Sequence, residues 1–585
     1  MNSIDTPVLI VGGGPVGLAL ALDLAWRGTT STLVERDPGT ATVLLAKANG
    51  LHERTMEMCR RWGVVNRVIE VGFPADHPGD TVYATALFGH FIGRTVIPSA
   101  LEREPPDSTP EMRRRCPQYE FDPLLARAVQ ERGLTDIRYG LRFEVLAQDA
   151  HGVTAELSEV ATGRRRRIRS RYLVACDGAG SPVRQFLGVP FEGKMLDYSL
   201  SAMIRIPSLD IPAPMTGGER YILVGPGGAW GVFTSVDGRE IWRITLVGAQ
   251  EKLNPATFDM AGEIRRALGR DDIPFEILRV VPWRRSQCSA ATYRVGRVLL
   301  AGDAAHTTSP TGGHGMNTGI GDVSDLGWML EALIDGWGGD RLLDAYDLER
   351  RQVAIRNSAS STSNYQAWVE STGYADILSS GPKGDSARKS IGERLARSLH
   401  DEWNSLGIDL GFRYEGSPII VPDGTPPTPD NPSEYVPTAR PGHRAPHAWL
   451  NDGRSILDLF GRSFVMLRFG ADETSAAGLE HAARQAGMPL VTVDIRTPEI
   501  TQLYQRRLVL VRPDGQVAWR GDQLPPDPGA LVDVVRGCGP VTPGQETRPA
   551  GRTRMGGPRE MSSRRPARGE ANTDASSGRG ASTKG

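Results

Sequence analysis

Val8-Leu-Ile-Val-Gly-Gly-Gly-Pro-Val-Gly17 reads as a buried parallel strand that turns through Gly12, Gly14 and Gly17 into a helix. A turn of that shape lets backbone N–H groups approach a pyrophosphate at the positive end of the helix. Glu35 closes the next apolar strand, Thr32-Leu-Val-Glu35, at the spacing of a carboxylate that grips a ribose hydroxyl. A glycine turn alone is weak evidence. Set after a strand, before a helix and with Glu35 in register, it points to dinucleotide binding.

Two further segments repeat the strand-then-turn pattern. Arg297-Val-Leu-Leu-Ala-Gly-Asp-Ala-Ala-His306 is a buried strand broken at Gly302-Asp303, the end where ligands of open α/β sheets sit. The loop Pro310-Thr-Gly-Gly-His-Gly-Met-Asn-Thr-Gly319 follows, then a helical stretch from Asp322 to Leu333. Between the first and last segments lies Tyr172-Leu-Val-Ala-Cys-Asp-Gly-Ala-Gly-Ser-Pro-Val-Arg184, again strand, turn and polar cap.

The order GxGxxG, then DG, then GD resembles the flavoprotein aromatic hydroxylases, the single-component FAD monooxygenases of the para-hydroxybenzoate hydroxylase and phenol hydroxylase type. The resemblance runs from about residue 5 to about 395. It implies FAD as cofactor, with Gly12, Gly14, Pro15 and Gly17 around the diphosphate and Glu35, followed by Arg36, at the adenosine ribose. Asp303 and Gln118 are expected at the ribityl chain, and Gly313, Met316 and Asn317 at the isoalloxazine. A loop of this kind stabilises negative charge on the reduced ring, as an oxyanion hole does. Lys47 stands where the family more usually has arginine, which keeps the charge and loses the bidentate fork. Asp177 and Arg184 match a motif serving both the FAD pyrophosphate and a transient nicotinamide donor, NADPH or NADH.

The resemblance further implies hydroxylation of a phenolic or polycyclic aromatic small molecule by O2 through a flavin C4a-hydroperoxide. Phenols react faster as phenolates, so a base is expected near the hydroxyl. Phenol hydroxylases carry an aspartate at the position of Asn49, and an amide cannot serve as that base. His52 and Tyr221 are the catalytic candidates, each set against an ordinary packed role. His306 and His314 have no carboxylate or cysteine at ligand spacing beside them, so no metal is expected.

The 585 residues suit two or three domains. A net charge of −1 and 39% hydrophobic residues describe an ordinary soluble protein, with no reason to expect a nucleic-acid or membrane partner. The amino terminus lacks a signal-peptide pattern, and five scattered cysteines without CxxC suit reduced thiols in a cytoplasmic protein. The expected fold class is α/β: a Rossmann-like FAD-binding fold with an inserted, mostly antiparallel β-sheet substrate domain and a carboxyl-terminal thioredoxin-like domain. The expected divisions are 1–190 and 291–410 for FAD binding, 191–290 for the insert, 411–439 for a proline-rich linker, 440–545 for the thioredoxin-like part and 546–585 for a disordered tail. In the resembling family the insert floors the substrate pocket, and Tyr221, Trp230, Phe233 and Trp242 are candidates to line it. The thioredoxin-like part is read as a structural or dimer-supporting module, which leaves a homodimer open. Two other readings remain: a flavin-dependent dehydrogenase or reductase that inserts no oxygen, and a non-catalytic flavin-binding scaffold.

Overall fold

The Thr6–Val11 strand is almost wholly buried. In the computed structural model it pairs in parallel with Ser31–Glu35 on one side and Arg165–Ala175 on the other. The structure describes residues 3–40, 47–369, 372–470 and 475–539. Val298–Leu300 extends the sheet beyond Arg165–Ala175, again in parallel. Apolar runs without alternation suit strands covered on both faces. As these strands are parallel neighbours, their carboxyl ends share one edge, and the turns at Gly12, Asp177 and Asp303 leave it side by side.

The helix Pro15–Arg27 is rich in alanine and leucine, and Leu18 to Leu24 are fully buried. It packs between the sheet and the helix His314–Asp335. Close packing explains two glycines. Gly12 takes φ +111°, and a methyl group there would lie 2.4 Å from the Cys176 carbonyl oxygen. A methyl on Gly17 would meet the Gly12 carbonyl oxygen at 2.0 Å.

A second eight-stranded sheet is built mainly from the strands between Phe191 and Ala290. Every pairing in it is antiparallel except Gly218–Gly225 with Asp80–Ala84. Alternation divides its faces. Leu200, Ala202, Tyr221, Leu223, Phe233, Trp242 and Ile244 form an apolar core with the helix Met260–Leu268. Ser201, Arg220, Arg243 and Thr245 take the intervening positions, on the opposite face.

The last sheet has the order Leu490–Ile495, Phe464–Phe469, Leu508–Val511, Val517–Gly521. The first pair is parallel, with the helix Ala477–Gln485 in the crossover, and the others are antiparallel. That order and sense are thioredoxin-like. Its joint with the rest is polar and buried: Arg444 pairs with Glu57, and Arg512 bonds both oxygens of Glu349 at 2.7 and 2.9 Å. The preceding proline-rich stretch is tied down as well, for Phe412, Tyr414 and Ile420 are buried and Asp430 pairs with Arg356 at 2.7 Å. The expected tail, 546–585, lies outside the described residues.

Candidate active site

The crevice at the shared strand edge is built from short, polar turns. Gly14 precedes the helix Pro15–Arg27, and a methyl at Gly14 would meet nothing within 4 Å, so the helix N-terminus is open to a ligand. Glu35 accepts hydrogen bonds from Gly13 N–H at 2.6 Å and Asp37 N–H at 2.9 Å, which holds its carboxylate against the glycine turn. Arg36 is exposed beside it. Gln118 opens the helix Gln118–Arg132 and donates to Asp122 at 3.0 Å. Burial pushes the Asp122 carboxyl up to about 7, and Lys47 lies within electrostatic reach of both Asp122 and Asp303. Asp303 is exposed between buried Gly302 and Ala304. Asn49 is buried with both amide atoms unpartnered, and Asp177 has one buried oxygen without a partner. An open helix N-terminus, a projecting carboxylate and orphaned polar atoms around one crevice fit a large, polar, phosphate-bearing cofactor.

Asp322 pins the GD turn from below. Its carboxylate accepts from Gly302 N–H at 3.0 Å, His306 Nε2 at 2.9 Å and Arg350 Nε at 2.9 Å. Burial opposes that charge, yet His306 and Arg350 hold the carboxyl below its usual range. The guanidinium of Arg184, the residue the sequence places at the FAD pyrophosphate and nicotinamide donor, donates to the carbonyls of Ala304 (2.7 Å) and Ala179 (2.8 Å) and lies 3.8 Å from the Phe191 ring centroid. It therefore braces the DG loop against the GD turn.

The glycine loop is clamped by a side chain. Asn317 Oδ1 accepts from His52 N–H (2.9 Å) and the Thr55 hydroxyl (2.7 Å), and Nδ2 donates to Gly50 O (3.0 Å) and Gly313 O (2.7 Å). Met316 is half-buried in the first turn of the same helix. His52 caps the helix Glu53–Trp62 and is buried. Its Nδ1 bonds Asp409 Oδ1 at 2.7 Å, and its Nε2 lies 3.1 Å from where a Gly313 methyl would stand. Arg113 (3.3 Å) and Ser405 (2.9 Å) take the other Asp409 oxygen. His314 meets His52 edge-on at 5.2 Å, and burial, with His52 beside it, lowers its pKa to about 3. Sequence spacing separated these groups: His52, His314 and Asp409 come together only in three dimensions. With both Asp409 oxygens bonded, the donors form an Asp–His pair beside a neutral imidazole.

Tyr221 stands elsewhere. It is fully buried, its hydroxyl accepts from Gly218 N–H (3.1 Å) and donates to Met215 O (3.0 Å), and burial raises its pKa to about 12. With Phe233 and Trp242 it belongs to the apolar core, so the aromatic floor expected of the insert packs away from the crevice. Trp230 packs against that core under Arg266. The other face carries Arg220 and Arg243 beside an apolar cluster of Ile222, Val224 and Val232. Arg220 pairs with Glu402 at 3.1 Å and Arg115 with Glu219 at 2.6 Å, while burial lowers the pKa of Arg115 and of Arg243 to about 10. A cavity lined by His52, Arg115, Glu219 and Trp403 has Val68, Phe73 and Ile97 in its apolar wall.

Fold and crevice together define a flavin-dependent oxidoreductase with a cavity that reaches His52 beside the glycine loop. Residues 5–361 match the FAD binding domain family, and residues 438–538 match the carboxyl-terminal domain of aromatic-ring hydroxylases. The chain is 34% identical over 568 residues to tetracenomycin B2 monooxygenase-dioxygenase of Streptomyces olivaceus, covering 92% of this chain and 98% of that one. Among solved structures it is similar to RebC with bound 7-carboxy-K252c, with a TM-score of 0.85, 40% identity and coverage of 92% and 99%. The ternary complex of aklavinone-11 hydroxylase with FAD and aklavinone gives a TM-score of 0.77 at 29% identity, covering 92% and 100%. The chain belongs to the FAD-dependent aromatic-ring hydroxylases, and FAD is its cofactor. Among the described residues, no helix is long and apolar enough to cross a membrane.

Proposed function

We propose that the protein uses NADPH or NADH and dioxygen to hydroxylate a polycyclic aromatic compound bearing a phenolic group. The observation that supports this reading is that the cavity reaches His52, whose N–H bonds Asn317 of the glycine loop. Apolar side chains and arginines share the cavity wall, which suits an aromatic compound that also carries a polar group. The relatives named for tetracenomycin B2 and aklavinone support a polyketide-like substrate for this chain.

In this reading Gly12, Gly14, Pro15 and Gly17 hold the FAD diphosphate, and Glu35 with Arg36 takes the adenosine ribose. Lys47, Gln118, Asp177 and Asp303 take the ribityl and phosphate oxygens. Gly313 and Met316 present backbone N–H groups to the ring. Bound there, FAD supplies hydride acceptance and oxygen activation. NAD(P)H, a proton, dioxygen and the substrate become NAD(P)+, water and the hydroxylated product. The protein's own task is to orient, shield and move protons. His52 lines the cavity, and Asp409 holds its Nδ1–H, which leaves Nε2 as the acceptor for the phenolic proton. His314 stays neutral beside it and adds no competing charge.

Purified protein should carry yellow flavin. A fused-ring phenol should accelerate NAD(P)H oxidation, consume dioxygen in equal amount and gain one oxygen by mass. NAD(P)H loss without dioxygen uptake would establish a dehydrogenase instead, and a colourless, inert protein a scaffold.

A further inference from the structure

Four arginines line the cavity beside His52: Arg103, Arg113, Arg114 and Arg115. Two are matched. Arg113 faces Asp409 at 3.3 Å and Glu53 at 3.6 Å, and Arg115 pairs with Glu219 at 2.6 Å. Arg103 and Arg114 make no hydrogen bond or ion pair among the described residues, and Arg103 Nε is buried without a partner. Burial lowers the pKa of both; Arg113 and Arg114 repel Arg103 while Glu53 and Glu219 attract it without a direct bond, and Glu111 does the same for Arg114. Arg243 adds a buried cation near Arg115 and Arg220. A guanidinium drawn out of water at a cavity wall with no directly bonded partner is costly, and an arriving anion relieves that cost. The guanidinium fork fits a planar carboxylate in particular.

We propose that the substrate carries a carboxylate, bound by Arg103 and Arg114 at the cavity wall. The inference rests on the cavity being the substrate site, as argued above. The apolar wall of Val68, Phe73 and Ile97 suits the fused rings, and the arginines fix which end of the molecule faces His52. A phosphate of the nicotinamide donor offers the same fork-matching oxygens, and the test separates the two sources.

The FAD-loaded enzyme is titrated with 3-hydroxy-2-naphthoate and with 2-naphthol, and binding is read from the change in flavin absorbance. The acid should bind at least about tenfold tighter than the naphthol, and only the acid should weaken with added salt. R103Q and R114Q, each scored as a protein with full flavin content and unchanged Tm, should each cut that preference several-fold. Equal affinities in the unaltered enzyme overturn the inference, as does a preference that survives both substitutions. A loss confined to NADPH affinity, measured by quenching of its fluorescence, assigns the arginines to the donor and also overturns it. Substrate-coupled dioxygen uptake without preference for the acid leaves the monooxygenase reading standing. Acid preference without dioxygen uptake removes that reading and keeps the anion site.

Discussion

His52 and Asp409 are 357 residues apart in the chain and 2.7 Å apart in the fold, and their bond decides which imidazole nitrogen faces the reaction. A carboxylate on Nδ1–H fixes the tautomer and the orientation of the ring. His52→Asn should retain FAD and slow hydroxylation about 10²–10⁴-fold, with the acidic limb of the pH–rate profile lost in single-turnover measurements. Asp409→Asn should keep a weaker, shifted limb, because the base remains and its orientation is loosened. Asp303→Ala addresses the cofactor instead: FAD affinity by titration of the apoprotein should fall about tenfold or more. His52 was readable in the sequence as a residue type beside a motif. Asp409, Arg113 and the neutral His314 were not, since nothing local announces a contact formed by chain closure. Tyr221 shows the opposite failure: a tyrosine between apolar neighbours has the same local pattern whether its ring faces a substrate or a core.

The glycine turns are where pattern and structure agree most closely. GxGxxG, DG and GD each follow a buried strand, and parallel neighbours bring their turns to one edge, so the crevice was legible from three short segments. Gly12→Ala tests that edge. Its φ of +111° and the 2.4 Å approach to Cys176 O leave a methyl no room, and strain with overpacking costs roughly 3 kcal/mol or more. The variant should purify without flavin and with a lower Tm. Alternation in the insert was equally visible, but period two alone does not say which face meets the crevice. The aromatic positions were the natural choice for a flat ring. The structure gives that face to Arg220, Arg243, Ser201 and Thr245, because the helix Met260–Leu268 claims the apolar side.

The whole molecule depends on buried ionic contacts across its joints. Glu57, on the helix that His52 caps, is bound by Arg444 and Arg54, and despite full burial these lower its pKa from 4.5 to about 2. A depressed carboxyl stabilises the fold fully above pH about 4.5, and that contribution, about 3 kcal/mol, drains away as pH falls toward 2. Unfolding titrations should show this loss in the native chain and its near-absence in Glu57→Gln, which starts from lower stability. Arg444→Met leaves buried Glu57 with Arg54 as its remaining cation, and should cost up to about 3–5 kcal/mol by denaturant unfolding. Such a joint couples the thioredoxin-like part to the helix beginning at His52, so damage there should reach the active site. Product formed from the aromatic substrate under isotopically labelled dioxygen, with NAD(P)H as reductant, tests the central claim most directly. One labelled oxygen per product and one NAD(P)H oxidised per product are predicted. NAD(P)H oxidised with no label in the product would contradict the account.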